Sequence, residues 1–268
     1  MMRSTALCAA ILAAGVGGLA HAQLVVSNDG AANSNIWYID LATNNATSIY
    51  SGADALAWGM TYSESSNTLY WNNGGTLFSS QFSQGGLTPS SVALTLDGAT
   101  TNFVGLAWWQ GRLVGTRNIG TEGVYDINPI TGEATLINTY ASAFDFGGLD
   151  SDGTTLYGIS DSAPAGGPGR GLYSIDVGTG IPSFIAGSPA GDTDIDGLAI
   201  GNNRAYWVND RGDQDIFVYN LLTNSFEASI ANPILGTGIF SAGAYIVPTP
   251  GAAALMGLGG FAALRRRR

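Results

Sequence analysis

The chain has 268 residues, 20 acidic against 10 basic, a formal charge of −10, one Cys and one His. All ten basic residues are arginines. Such an acidic balance excludes nucleic acid and anionic lipid surfaces as partners of the chain body, because both need clustered Lys or Arg.

The first segment reads Met1-Met2-Arg3, an apolar run from Ala6 to Ala20, and Ala20-His21-Ala22 before Gln23. A positive start, a short apolar stretch and a small-x-small site predict a secretory signal peptide over 1–22, cleaved between Ala22 and Gln23. Cys8 and His21 leave with it. The mature body then has no thiol, imidazole or lysine amine, which excludes a disulfide framework, a Cys/His metal site and any nucleophile activated by His. Its twenty acids face five arginines (Arg112, Arg117, Arg170, Arg204, Arg211), for a charge of −15.

From Gln23 to Val247 the apolar residues alternate or cluster in short β-branched and aromatic runs, bounded by Gly, Asn, Asp and Ser. That punctuation predicts strands. Trp58-Gly59-Met60, Val104-Gly105-Leu106, Gly147-Gly148-Leu149, Asp196-Gly197-Leu198 and Ala242-Gly243-Ala244 recur, their central glycines 46, 43, 49 and 46 residues apart. After each of the first four glycine strands comes a second strand (Leu69-Tyr70-Trp71, Leu113-Val114, Leu156-Tyr157, Ala205-Tyr206-Trp207). A third ends in Thr-Gly or Thr-Asn, as at Thr131-Gly132, Thr179-Gly180 and Thr223-Asn224, and a fourth closes the unit. A period of 40–50 residues carrying four strands is that of a propeller blade.

The body opens on a second strand (Leu24–Ser27) and finishes on a lone first strand (Ala242–Val247). The expected fold is therefore all-β, a five-bladed β-propeller whose closing blade is built from both termini. A β-sandwich or β-solenoid is the alternative for the same turns. Where Leu-Tyr-x-Ile-Asp-x-x-Thr-Gly recurs (Leu172–Gly180), the chain resembles bacterial secreted propellers with degenerate blade repeats. That resemblance covers most of 24–247 and implies a fold rather than a function.

In such a ring, the loops leading into first strands and those between second and third strands share one face. They hold Asp54, Asn102, Asp145, Asp194 and Asp196, and also Asn28, Asp29, Asn72, Asn73, Arg117, Asn118, Asp161, Asn209, Asp210, Asp213 and Asp215. Oxygen ligands at this density suit Ca²⁺. The densest set for a cation is Asp194, Asp196, Asp210, Asp213 and Asp215; the alternative role of such residues is to cap tight turns. Paired carboxylates could also run glycoside hydrolysis. Of the four glutamates, Glu122 alone falls on this face, whereas Glu64 follows a first strand toward the opposite one. A metal-dependent lactonase in the channel is the stronger enzyme alternative, with Asp54, Asn102, Asp145 and Asp196 as its ligand set. Trp71 and Trp207 hold matching blade positions, which points to core packing rather than sugar stacking.

The chain closes with Val247-Pro248-Thr249-Pro250-Gly251, an apolar stretch from Ala252 to Leu264, and Arg265, Arg266, Arg267 and Arg268. Thirteen apolar residues fall short of the roughly 20 that span a bilayer as a helix, and the arginines would hold the tail on the cytoplasmic side. This pattern over 248–268 resembles the PEP-CTERM sorting signal of Gram-negative bacteria, with Thr249 where that family has Glu. The resemblance implies a transient inner-membrane anchor, an exosortase-like processing enzyme as partner, and release to the cell surface or extracellular matrix. The function expected from the whole chain is a non-catalytic binding propeller for an extracellular glycan or matrix protein, with Ca²⁺ as a possible cofactor.

Overall fold

The computed structural model describes residues 22–28, 34–117, 121–162, 164–189, 195–209, 215–234 and 240–247. The compact body runs from His21 to Val247. Most of the expected signal peptide, the whole of the expected sorting signal, and Asp194, Asp210 and Asp213 lie outside the described residues.

The chain begins with β1 (Gln23–Asn28), β2 (Asn35–Asp40) and β3 (Asn45–Ser51). The first complete meander is β4 (Gly59–Ser63), β5 (Thr68–Asn72), β6 (Thr76–Gln81) and β7 (Ser90–Ala93). A short hairpin, β8 (Thr95–Leu96) and β9 (Ala99–Thr100), precedes β10 (Leu106–Trp109), β11 (Arg112–Arg117), β12 (Gly123–Ile127) and β13 (Glu133–Thr139). Two further meanders follow. They are β14 (Phe146–Ser151), β15 (Leu156–Ser160), β16 (Gly171–Asp176) and β17 (Ile181–Gly187), then β18 (Gly197–Gly201), β19 (Arg204–Val208), β20 (Phe217–Asn220) and β21 (Ser225–Phe226). The last strand, β22 (Phe240–Ile246), pairs antiparallel with β1 to give the order β22-β1-β2-β3. These five sheets form a five-bladed β-propeller, and its closing blade joins both ends of the body as the sequence predicts.

The inner strands β22, β4, β10, β14 and β18 touch in that order around the axis and back to β22. The recurring glycines make this possible. A Cβ on Gly59 would stand 2.3 Å from the Val104 carbonyl oxygen, and one on Gly148 would stand 2.6 Å from that of Asp196. Side chains there would force neighbouring blades apart, so the repeat glycines record the closeness of the strands rather than a turn.

Four of the five third-to-fourth-strand turns follow a second rule. Asp40, Asn128, Asp176 and Asn220 each accept, through Oδ1, the backbone N–H groups two and three residues ahead, at 2.8–3.3 Å. The turn then ends on Asn44, Gly132, Gly180 or Asn224, with φ of 53°, 73°, 72° and 52°. The side-chain oxygen imitates a backbone acceptor, and Gly or Asn tolerates the left-handed residue that follows. At Gly180 the need is double, because a Cβ would also lie 1.9 Å from the Thr139 carbonyl oxygen of the preceding blade.

Apolar side chains fill the space between adjacent blades in five clusters. Trp71 and Trp207 are fully buried in two of them, the packing role expected of matched positions. Two details depart from the sequence reading. The β8–β9 hairpin, turned by Asp97-Gly98 with both φ values positive, adds itself to the second blade by a parallel pairing of β8 with β13. The fourth strand expected over Ser225–Ile230 is interrupted: β21 holds two residues, and an isolated bridge joins Ile216 to Ile230. Among the described residues no helix is long and apolar enough to cross a membrane.

Candidate functional site

The propeller presents two faces. One carries the loops into the inner strands and the loops from second to third strands; the other carries the tight turns from first to second and from third to fourth strands.

The loop face was expected to hold the chemistry. Of the proposed cation ligands, Asp196 and Asp215 are described. Asp215 is exposed and accepts the Ser229 hydroxyl at 2.6 Å. Asp196 is half-buried at the loop-side end of the axis, beside Gly147. Among the described residues no group of three or more Asp, Glu, His or Cys is placed to hold a metal. Several of the amides and acids serve the backbone. Asn72 accepts from the Gly74 N–H at 2.8 Å and donates to the Val104 carbonyl of the next blade at 3.4 Å. Asn73 accepts from the Thr76 N–H at 3.2 Å. Asp54 sits in a one-turn 3-10 helix (Ala53–Ala55), its Oδ2 accepting the Tyr50 hydroxyl at 2.7 Å. Burial and then the Asp54 carboxylate push the Tyr50 phenol up to about 12. Asn102 is exposed.

One set on this face does converge. Tyr140 donates its hydroxyl to the Arg117 carbonyl at 3.1 Å, and the Arg117 guanidinium lies 5.5 Å from the centre of the Tyr125 ring. Burial, and next the Asp145 carboxylate, hold the Glu122 carboxyl above its ordinary range. The Glu122 Oε2 and Arg117 Nε atoms are buried without a hydrogen-bond partner. Residues 118–120, next to this set, are outside the described chain.

At the axis on the loop side, Trp58, Gly59, Gly148, Asp196, Gly197 and Gly243 crowd together and leave no room for a water molecule. Deeper along the axis sits Asp150, 6% exposed. Its Oδ2 accepts the Ile200 N–H of β18 at 2.7 Å, and its Oδ1 accepts the Thr61 hydroxyl of β4 at 3.3 Å. The Thr61 hydroxyl oxygen in turn accepts the Trp108 N–H of β10 at 2.8 Å. One carboxyl thus ties its own inner strand to those of three other blades, two of them reached through Thr61. Burial raises its pKa to about 8, against the lowering effect of its hydrogen bonds from Ile200, Ser151 and Thr61. Near neutrality it is mostly the uncharged acid, held in the protein interior.

The axis opens on the turn face. There Tyr62, Trp108, Tyr245, Glu64, Asp152, Asn202 and Asn203 line a cleft of about 400 Å³. Two of its rings are held by stacking: Trp108 lies parallel to Tyr70 at 5.6 Å, and Tyr245 lies on Tyr206 at 5.5 Å. Gly201 leaves space for the Tyr245 ring, which a Cβ would enter at 1.9 Å. Glu64 stands on this face, as its place after a first strand predicts, whereas the cleft itself is not among the sequence expectations. A signal was present: three residues beyond four of the repeat glycines stand Tyr62, Trp108, Ser151 and Ile200, and all four line it.

No family model matches the chain, and no curated protein matches it. Among solved structures it is similar to a chain of a nidogen/laminin complex, with a TM-score of 0.56 at 10% identity, covering 84% of this chain and 98% of that one. It is also similar to a protein of unknown function from Bacteroides thetaiotaomicron, with a TM-score of 0.52 at 14% identity, over 80% of this chain and 55% of that one. At such identities these likenesses show the propeller fold and nothing finer.

Proposed function

We propose that the chain is an exported, surface- or matrix-sorted β-propeller that binds an extracellular glycan or protein without transforming it. The observation that carries this reading is the contrast along the axis. The carboxyl buried there, Asp150, is locked by hydrogen bonds from inner strands, while the open cleft offers aromatic faces, acids and amides. Export rests on the signal-peptide pattern over 1–22, and sorting on the Pro-Thr-Pro, apolar and arginine pattern over 248–268. Fractionation of producing cells, followed by capture of matrix components on the purified chain, tests it. The chain is expected outside the cytoplasm and enriched with a matrix glycan or protein; a cytoplasmic chain, or one that captures nothing, overturns the reading.

A hydrolytic second reading has one observation in its favour, the raised Glu122 carboxyl beside Asp145. Turnover of a glycoside or lactone that disappears in Glu122→Gln would move the protein into the enzyme class.

A further inference from the structure

We infer that the turn-face cleft is a binding site for a protonated amino sugar, carried on an extracellular polysaccharide. This deepens the binding role proposed above and rests on it.

The cleft's volume, about 400 Å³, lies within the range of small-ligand sites. Its walls are pre-formed. Trp108 and Tyr245 are each backed by a second aromatic ring, at 5.6 and 5.5 Å, so ligand binding does not have to order them. Trp108 and Tyr62, both partly exposed in the cleft, offer apolar faces to the C–H face of a pyranose ring and also attract a cation, whereas Tyr245, 9% exposed, serves as fixed wall.

Among the described residues, the charged groups that line the cleft are both carboxylates. Glu64 is exposed, and among the described residues it enters no ion pair. Asp152 is fixed: its Oδ1 accepts the Thr154 and Thr155 N–H groups at 2.9 and 2.7 Å, and its Oδ2 accepts the Tyr157 hydroxyl at 3.2 Å. Both carboxylates belong to first-to-second-strand turns, and among the described residues no arginine lines the cleft. Arg204, close by in sequence, is taken up by two bonds to Glu227 at 2.7 and 3.1 Å. A uronic acid, a phosphate or a sulfated sugar would meet two carboxylates, with the neighbouring Arg204 already paired to Glu227. An ammonium group would meet carboxylates and aromatic rings together.

Asn202 and Asn203 add neutral amides to the cleft. Both are exposed and both hold positive φ, 51° and 58°, at the tip of the β18–β19 turn. Each amide can donate to and accept from sugar hydroxyls. Aromatic faces, neutral amides and unopposed carboxylates together fit a ring that is both polyhydroxylated and cationic. A body with a charge of −15 would also draw a polycation toward it at long range.

Calorimetric titration of the full chain in mild detergent with glucosamine oligomers, at a pH where their amines are protonated, tests the assignment. N-acetylglucosamine and galacturonate oligomers of the same length serve as controls. The glucosamine oligomer is expected to bind, and both controls to bind more weakly by about tenfold or more. Glu64→Gln should cost about tenfold, the worth of one charge-assisted contact, while Glu133→Gln, at an exposed position outside the cleft, should leave binding unchanged. Absence of binding, equal binding of the acetylated oligomer, or binding indifferent to Glu64→Gln would each overturn the assignment. Capture of matrix components that survives Glu64→Gln removes this site yet keeps the broader binding role; loss of all capture by the unaltered chain removes both.

Discussion

On the loop face the inner strands begin at glycines and close until no water fits between them. On the turn face the same strands end near Tyr62, Trp108, Ser151 and Ile200, and they stand around a cleft. The loop face carries more of the acids and amides, yet several of those side chains are engaged with the backbone or a neighbouring hydroxyl. The turn face carries fewer and, among the described residues, holds the open space along the axis. A high density of Asp and Asn in a β-rich chain therefore marks where the backbone turns. Which end of the channel opens is decided by side-chain volume at each end of the inner strand.

The sharpest way to break this contrast is to thicken the closed end. Gly59→Val places a branched side chain against the Val104 carbonyl and is expected to destabilise the fold by about 3 kcal/mol or abolish it. Chemical denaturation measures this. A shift below about 1 kcal/mol would mean that the blades are not closely packed at that level.

Gly180→Ala tests the close approach of a turn to the preceding blade. The positive φ of 72° and the Thr139 carbonyl together should cost about 2 kcal/mol in the same measurement. Gly153 also has a positive φ but has open space around its Cβ position, so Gly153→Ala should cost about half as much.

Asp150 stands between the two ends, and its effect depends on pH. The folded carboxyl keeps its proton up to about 8, whereas in the unfolded chain it loses the proton near 4. Stability from this group is full below the unfolded value and is lost as pH rises toward and through the folded one. Asp150→Asn cannot ionise, so its melting temperature should fall less over that window than that of the unaltered chain. The two curves should part by at least about 1.4 kcal/mol, the worth of one pKa unit. Parallel curves would show that the carboxyl is not held as the acid.

The smallest effect is expected at the loop-face rim. Asp215→Ala removes one exposed bond to Ser229 and should change stability by less than about 0.5 kcal/mol.

Much of the fold was legible because its repeat is a steric necessity. Gly59, Gly148 and Gly197 recur since a Cβ at each would strike a neighbouring backbone or side chain, and the Thr-Gly and Thr-Asn turns recur since each ends in a left-handed residue. The split blade followed from counting strands at the two ends. The β8–β9 hairpin escaped notice because two-residue strands carry no alternation to read, although Asp97-Gly98 is itself a turn signal. The site was less legible. Tyr62 and Trp108 look like core residues in sequence, and their partial exposure at the channel mouth depends on where the axis widens. Asp150 is one aspartate among sixteen, and nothing in its neighbours along the chain announces that Thr61 and Ile200 meet it from other blades.

The pairing of β1 with β22 sets Gln23 directly opposite Ile246. A short peptide could therefore bridge the two ends without disturbing the sheet between them. The order in which the blades are written along the chain is then a free choice of where the circle is cut. A permuted chain opened at the exposed Gly153 turn, with residue 246 linked to residue 23, should close the same five blades. Its new ends would emerge beside the cleft, between two turns, and an added reporter group would sit within reach of whatever the cleft takes up.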